Sequence, residues 1–267
     1  MSADLYSEVR GAGPVLLLIP GGNGDAGFYQ PFAKALSGDF TVVTYDRRGF
    51  CRSPITGPVD DDRLLDIDVD DARTLLKSVD DDPGYVFGSS AGAIVALHLL
   101  TRHPDDVRIV VAHEPPLVRL LPDADHYVAL LDDIYDTFRQ RGPRRAMRKF
   151  VAAVGFGPPR FGTLEFWRMA KLMPRIRRNM TFTLEHELQK YPHYQPDTSA
   201  LQQASMKLVL AGGLDSREFF PYRATMELAG LLDEEVIDFP GDHIGYRHYP
   251  RECAAQLRGL LAPQGLR

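Results

Sequence analysis

Residues 85–97, YVFGSSAGAIVAL, decide the fold of this chain. The short run YVF predicts a β-strand, and AGAIVAL with the HLL that follows predicts a helix. Between them the chain must turn from strand to helix within the five residues from Gly88 to Gly92. Two serines stand side by side in that turn, and only one of them can occupy its exposed tip.

The spacing of the two glycines identifies that serine. A G-x-S-x-G sequence between a strand and a helix is typical of a nucleophile elbow, a strained turn whose middle serine exposes its hydroxyl. Counting from Gly88 and Gly92 makes Ser90 the middle residue. Glycine is needed on both sides because the turn brings other backbone too close for a Cβ. We predict Ser90 as the nucleophile and Ser89 as a packing or hydrogen-bonding residue.

The rest of the chain alternates in the same way, which predicts β-α-β units and a mostly parallel sheet with helices on both faces. Six strands are predicted, at VLLLIP, TVVTYD, YVFG, VRIVVAHE, KLVLAGG and EEVIDFP. From Leu117 to about Ser199 only helical patterns occur. We therefore predict an α/β core domain over 1–116 and 200–267, with a helical cap inserted over 117–199.

A serine hydroxyl needs a base, and the base needs an orienting acid. His243 follows the last predicted strand and a Pro-Gly turn, so it is the predicted base. Two acids fit. Asp215 follows the strand KLVLAGG, and Glu114 ends the strand VRIVVAHE. The residues alone leave both open, one carboxylate as the orienting acid and the other as a pocket or supporting residue.

The negative oxygen of a tetrahedral intermediate needs two hydrogen-bond donors. The backbone N–H of Ala91, directly after the nucleophile, is the first candidate. The second is the N–H of Gly22 or Asn23 in the glycine-rich loop IPGGNGDAGFY. Such loops also cradle phosphates, but neither a G-K-[ST] sequence nor G-x-G-x-x-G spacing is present, which disfavours a nucleotide site.

Taken in order, VLLLIPGG, VVTYDRRGFCRS, GSSAG, LVLAGGLD and FPGDH resemble the α/β-hydrolase superfamily over essentially all of the chain outside the insertion. HEPP at residues 113–116 is similar to the HELP-like stretch of zearalenone-type lactonases, whose glutamate is the triad acid. Those enzymes lack the usual late aspartate, whereas Asp215 is present here, and we therefore favour Asp215 slightly as the acid. The resemblance implies hydrolysis of an ester or lactone without a cofactor or a metal. It also implies a cap over the active site.

The predicted pocket is mostly apolar. His113 is a candidate pocket residue, and aromatic residues of the cap are candidate walls: Tyr135, Phe138, Phe161, Phe166 and Trp167. Three other functions stay open on the same fold. A dehalogenase or epoxide hydrolase is disfavoured because it uses an aspartate at the elbow. A lyase, cyclase or C–C hydrolase could use the same triad, and a ligand sensor would bind tightly without turnover.

Composition limits the partners. The net charge of −5 disfavours nucleic acid, and the chain has neither a signal-peptide pattern nor an apolar stretch long enough for a membrane. Two isolated cysteines are typical of a reducing cytoplasm. We therefore expect a cytoplasmic enzyme that acts on a small molecule, and a homodimer remains open. The acidic stretch 60–82 and the basic stretch 139–178 are interpreted as solvated faces. The alternative is a basic cap that attracts anionic substrates or docks on the acidic segment of a second chain.

Overall fold

The computed structural model of the protein describes residues 5–155 and 174–262. Its strands are β1 (Ser7–Arg10), β2 (Val15–Ile19), β3 (Thr41–Tyr45), β4 (Gly84–Ser89), β5 (Val107–His113), β6 (Leu208–Gly213) and β7 (Val236–Phe239). They form one seven-stranded sheet in the order β1-β3-β2-β4-β5-β6-β7. β1 pairs with β3 in the antiparallel sense, and all other pairs are parallel.

Strands β2 to β7 lie where the six apolar runs predict them, whereas β1 was not predicted. Its sequence SEVR alternates between exposed and half-buried residues and contains no apolar run. Strand β1 lies at the edge of the sheet with its residues exposed or half-buried, so it lacks the continuous apolar run of a strand that is covered on both faces.

The helices are α1 (Gln30–Leu36), α2 (Leu64–Val79), α3 (Ala91–Arg102), α4 (Ala124–Arg141), α5 (Pro143–Val154), α6 (described over 174–182), α7 (Thr198–Gln203), α8 (Phe220–Leu232), α9 (Gly245–His248) and α10 (Pro250–Leu261). A π-helical turn, Thr183–Glu187, continues α6. Helices α1 and α10 pack on one face of the sheet, and α2, α3 and α8 pack on the other. The sheet is therefore covered on both sides.

Strand β2 shows why its apolar run is continuous. Leu16 and Leu18 join the cluster under α1 and α10, while Val15, Leu17 and Ile19 join the cluster under α2 and α3. Successive side chains of a strand point to opposite faces, so a strand buried on both faces needs an apolar residue at every position. Burial of each such leucine contributes roughly 1.5–3 kcal/mol.

The register brings the predicted site residues to one edge of the sheet. Ser89 pairs with His113, and His113 pairs with Ala211. Gly213 pairs with Phe239, so the loops after β6 and β7 begin at the same level. Because these strands are parallel, their carboxyl ends converge where ligands bind in open α/β sheets.

The described residues of the predicted cap, 117–155 and 174–199, contain helices and turns but no strand. The boundaries of the cap remain a prediction. Part of the acidic stretch contacts the predicted cap of the same chain. Asp61 contacts His186 at 2.8 Å, and Asp62 pairs with Lys190 at 2.6 Å. Within the described ranges, no helix has the length and apolar character needed to cross a membrane.

Candidate active site

Ser90 lies in a strained turn between β4 and α3. Its backbone has φ of 57° and ψ of −124°, a conformation that side-chain-bearing residues rarely adopt and that clusters at functional sites. A Cβ on Gly88 would lie 2.2 Å from the Gly92 carbonyl oxygen, and a Cβ on Gly92 would lie 2.2 Å from that of Ile19. The two glycines are therefore required by close backbone approach, as the sequence pattern predicts.

His243 reaches the same edge from the loop after β7. Its Nδ1 is hydrogen-bonded to Oε2 of Glu114, and both side chains are buried. Because a carboxylate can only accept, Nδ1 carries the proton in this pair. In the neutral ring Nε2 is then the basic nitrogen.

Several hydrogen bonds hold Glu114 in place. Its Oε1 accepts from the backbone N–H of Gly213 at 2.6 Å and from the hydroxyl of Ser216. Its own N–H donates to the Ala211 carbonyl at 2.9 Å, and its φ is 51°. Burial alone would raise the pKa of Glu114, but the attraction of His243 and the hydrogen bonds from His243 and Ser216 lower it.

Asp215, the acid that the sequence slightly favours, does not reach His243. Its side chain is exposed, and its carboxylate makes no hydrogen bond or ion pair to His243 among the described residues. The chain turns after β6 so that the N–H of Asp215 donates to the Gly241 carbonyl at 2.9 Å while Ser216 points inward. The geometry thus favours Glu114, the reverse of the preference drawn from the sequence.

The glycine-rich loop packs directly on the elbow. A Cβ on Gly21 would lie 3.0 Å from the Cβ of Ser90. Among the described residues, the N–H groups of Gly22 and Asn23 donate to no acceptor. Ala91 is the first residue of α3, so its N–H has no partner within the helix. All three predicted oxyanion donors are therefore available.

Ser90, His243, Gly22 and Asn23 line one cavity of about 330 Å³. Its apolar walls come from both core and cap: Phe28, Tyr29, Met147, Phe150, Val151, Ile176, Met180, Ile244 and Tyr246. Asp25, Arg247 and His248 also line the cavity and add polar groups. The cavity is suited to a compact ligand that is mostly apolar.

None of the predicted pocket residues that the structure describes lines the cavity. His113 lies beneath the cavity, 6.4 Å from His243 between ring centroids, and does not line it. Complete burial lowers the pKa of His113 to about 4, so it is a neutral packing residue at physiological pH. Trp167, Phe161 and Phe166 lie outside the described residues. Tyr135 and Phe138 pack against the core instead of the cavity.

Sequence reasoning missed the cavity residues of the cap. Met147, Phe150 and Val151 lie on one face of α5, at spacings of three and four. That periodicity is visible in the sequence and could have identified them. The exposed face of α5 carries Arg144, Arg145, Arg148 and Lys149, which fits the solvated-face interpretation of this part of the basic stretch.

Among the residues that the structure describes, one group of side chains has atoms close enough to hold a metal ion: Asp25, Asp46 and Cys51. Arginines already occupy its carboxylates, Arg175 on Asp25 at 2.5 Å and Arg52 on Asp46 at 2.6 Å. Burial raises the pKa of Cys51 to about 11, which keeps the protonated thiol rather than the thiolate that binds metals. The donor set therefore does not fit a metal.

A family model described as the alpha/beta hydrolase fold matches residues 14–246 of this chain. The chain belongs to the α/β-hydrolase family. The uncharacterized hydrolase YraK of Bacillus subtilis strain 168 is 37% identical to this hydrolase over 265 residues, which cover 97% of this chain and 93% of the relative.

Two further matches are more distant. A protein of Azorhizobium caulinodans whose name proposes a carbamate hydrolase, RutD, is 35% identical over 107 residues, 40% of this chain and 39% of that protein. The solved structure of a thermophilic esterase from Thermogutta terrifontis matches with a TM-score of 0.68 at 18% identity, covering 96% of this chain and 92% of that one. At that identity the likeness concerns the fold alone.

Proposed function

We propose that this hydrolase cleaves a carboxylic ester or lactone through an acyl-enzyme on Ser90. The observation that carries the proposal is the buried Glu114–His243 pair, whose imidazole lines the same cavity as Ser90 and two unused backbone N–H groups. A nucleophile, an oriented base and oxyanion donors are the parts that acyl transfer requires.

In the first half of the reaction, His243 Nε2 takes the proton of Ser90 as the serine oxygen bonds to the carbonyl carbon. The resulting oxyanion accepts hydrogen bonds from Ala91 and from Gly22 or Asn23. When the intermediate collapses, the C–O bond to the alcohol breaks and the alkoxide takes the proton from His243. Water then repeats the sequence on the acyl-enzyme and releases the carboxylic acid.

Glu114 supports both halves. Its pKa is lowered, so it is a carboxylate that holds His243 with the proton on Nδ1 and stabilises the imidazolium formed during each step. The glutamate at this position also agrees with the lactonase-like HEPP stretch. The apolar walls favour a neutral ester or lactone over a highly charged one.

A fluorophosphonate probe tests the nucleophile directly. Intact-protein mass should show one adduct on the wild type and on Ser89→Ala, and none on Ser90→Ala. Ser89 is the matched control because it is the neighbouring serine and is buried at the end of β4. A panel of p-nitrophenyl esters, lactones and carbamates then ranks the substrate classes.

Three outcomes would contradict the proposal. Labelling that persists in Ser90→Ala would place the nucleophile elsewhere. A wild type that takes no label, although a reversible ligand of similar size binds the cavity, would indicate a binding protein. Turnover of a carbon–carbon bond without ester cleavage would move the reaction to another class on the same residues.

A further inference from the structure

A stripe of three cap residues, Asn179, Thr183 and Glu187, holds three consecutive carbonyl groups of the glycine-rich loop. Two of the contacts are direct, and the third runs through Arg47. Asn179 Nδ2 donates to the Asn23 carbonyl at 2.9 Å. Four residues later the Thr183 hydroxyl donates to the Gly22 carbonyl. Asn179 and Thr183 are both buried, and Thr183 opens the π-helical turn, a distortion that is frequent at functional sites.

The third contact runs through Arg47. Glu187, four residues beyond Thr183, accepts from Arg47 at 2.5 Å. The same guanidinium donates to the Gly21 carbonyl at 3.2 Å and is anchored by Asp68, 3.0 Å from its Nε. Arg47 is fully buried, so its position is set by these partners rather than by solvent.

These contacts fix the direction of the oxyanion donors because a peptide unit is planar. In a trans peptide the carbonyl of one residue and the N–H of the next point in opposite directions. The carbonyls of Gly21 and Gly22 share peptide units with the N–H groups of Gly22 and Asn23. Holding both carbonyls therefore also fixes the two N–H groups.

We propose that Asn179, Thr183 and Glu187 are positioning residues, which orient the oxyanion donors of the core from the cap. Thr183 acts directly on the Gly22 carbonyl, and Glu187 acts through Arg47. Asn179 acts one peptide further on, because the Asn23 carbonyl shares its peptide with the Gly24 N–H, which donates to the Gly21 carbonyl at 2.8 Å. The inference rests on the proposed function, since it needs a tetrahedral intermediate on Ser90. It makes correct docking of the cap a condition for the chemical step as well as for substrate binding.

The test separates a chemical effect from a binding effect. Thr183→Val removes the hydroxyl at nearly constant volume, and Thr183→Ser restores it. Asn179→Leu removes the second contact in case the first variant fails to fold. Lys190→Ala is the matched control, because Lys190 follows the same turn but pairs with Asp62 at the surface.

We expect Thr183→Val and Asn179→Leu to lower kcat on a p-nitrophenyl ester by roughly 10- to 100-fold, less than the loss of a donor itself. KM should change by less than about twofold, since positioning acts on the transition state. Inhibition by a trifluoromethyl ketone, which forms a tetrahedral adduct on serine, should weaken by a similar factor. Thr183→Ser should recover most of the rate, and Lys190→Ala should match the wild type.

Unchanged kcat in a folded Thr183→Val or Asn179→Leu protein would overturn the inference, as would a change confined to KM. Fluorophosphonate labelling shows which proposal has failed. If the wild type is labelled at Ser90 but the variants react at its rate, only the positioning role is wrong. If the wild type is never labelled, the proposed function fails and the positioning role fails with it.

Discussion

Two buried glutamates lie near the carboxyl edge of the sheet, and their pKa values move in opposite directions. Glu114 accepts from His243, Gly213 and Ser216, and its pKa is lowered. Burial raises the pKa of Glu187 to about 7, since Arg47 compensates only in part. Burial penalises both charges, so the difference comes from the number of donors around each carboxylate.

The surroundings of Glu187 explain its high pKa. Arg47 is shared with Asp68, so two carboxylates meet one guanidinium. Oxygen Oε2 of Glu187 is buried and has no hydrogen-bond partner among the described residues. A proton on Glu187 removes the excess negative charge. The surroundings of Glu114 thus stabilise its charged form beside His243, whereas Glu187 can exchange a proton near neutral pH.

The largest expected effect comes from removing the charge at Glu114. Glu114→Gln should lower kcat/KM on a p-nitrophenyl ester by roughly 10²- to 10⁴-fold, because the imidazolium loses its carboxylate and the ring its preferred tautomer. Asp215→Asn is the matched control and should stay within about twofold of the wild type. A larger loss in Asp215→Asn than in Glu114→Gln would reverse the assignment of the acid.

A smaller effect concerns stability at Glu187. The pKa of Glu187 is the ordinary 4.5 in the unfolded chain and about 7 in the folded protein. Between these two pH values the folded protein binds the proton and the unfolded chain does not. Raising the pH through this window therefore destabilises the wild type, and Glu187→Gln removes the effect. Between pH 4.5 and 8, Glu187→Gln should gain up to about 3 kcal/mol in unfolding free energy relative to the wild type.

Urea unfolding at several pH values measures this difference. Glu185→Gln is the control, since Glu185 lies in the same turn but is exposed and should follow the wild type at every pH. Parallel curves for the wild type and Glu187→Gln would show that Glu187 does not take up a proton in this window. The pKa values of Glu114 and Glu187 would then not differ in the proposed way.

The smallest effect tests how many donors Glu114 needs. Ser216→Ala removes one hydrogen bond to Oε1 but leaves the Gly213 N–H in place. We expect kcat to fall by about 3- to 10-fold, because a hydrogen bond to a charged group contributes roughly 1.5–3 kcal/mol and one donor remains. Ser78→Ala, on the distant helix α2, should leave kcat unchanged. An equal loss in both variants would point to general destabilisation.

The sequence by itself determined the elements and the residues whose position depends on local geometry. The strands β2 to β7, the elbow at Ser90, and the glycines around it follow from patterns a few residues long. His243 follows from its place after the last strand. These features could be predicted because periodicity and tight-turn sterics depend on neighbours along the chain.

Only the tertiary structure shows which of Glu114 and Asp215 contacts His243. Glu114 follows β5 and Asp215 follows β6, and both strands end at the same edge of the sheet. Which of the two carboxylates meets His243 depends on how the chain turns after β6, because this turn places Ser216 inward and Asp215 in solvent. The stripe of Asn179, Thr183 and Glu187 was equally invisible, because its partners lie between 140 and 161 residues away along the chain. Contacts of that range are set by how core and cap pack, and no local pattern encodes them.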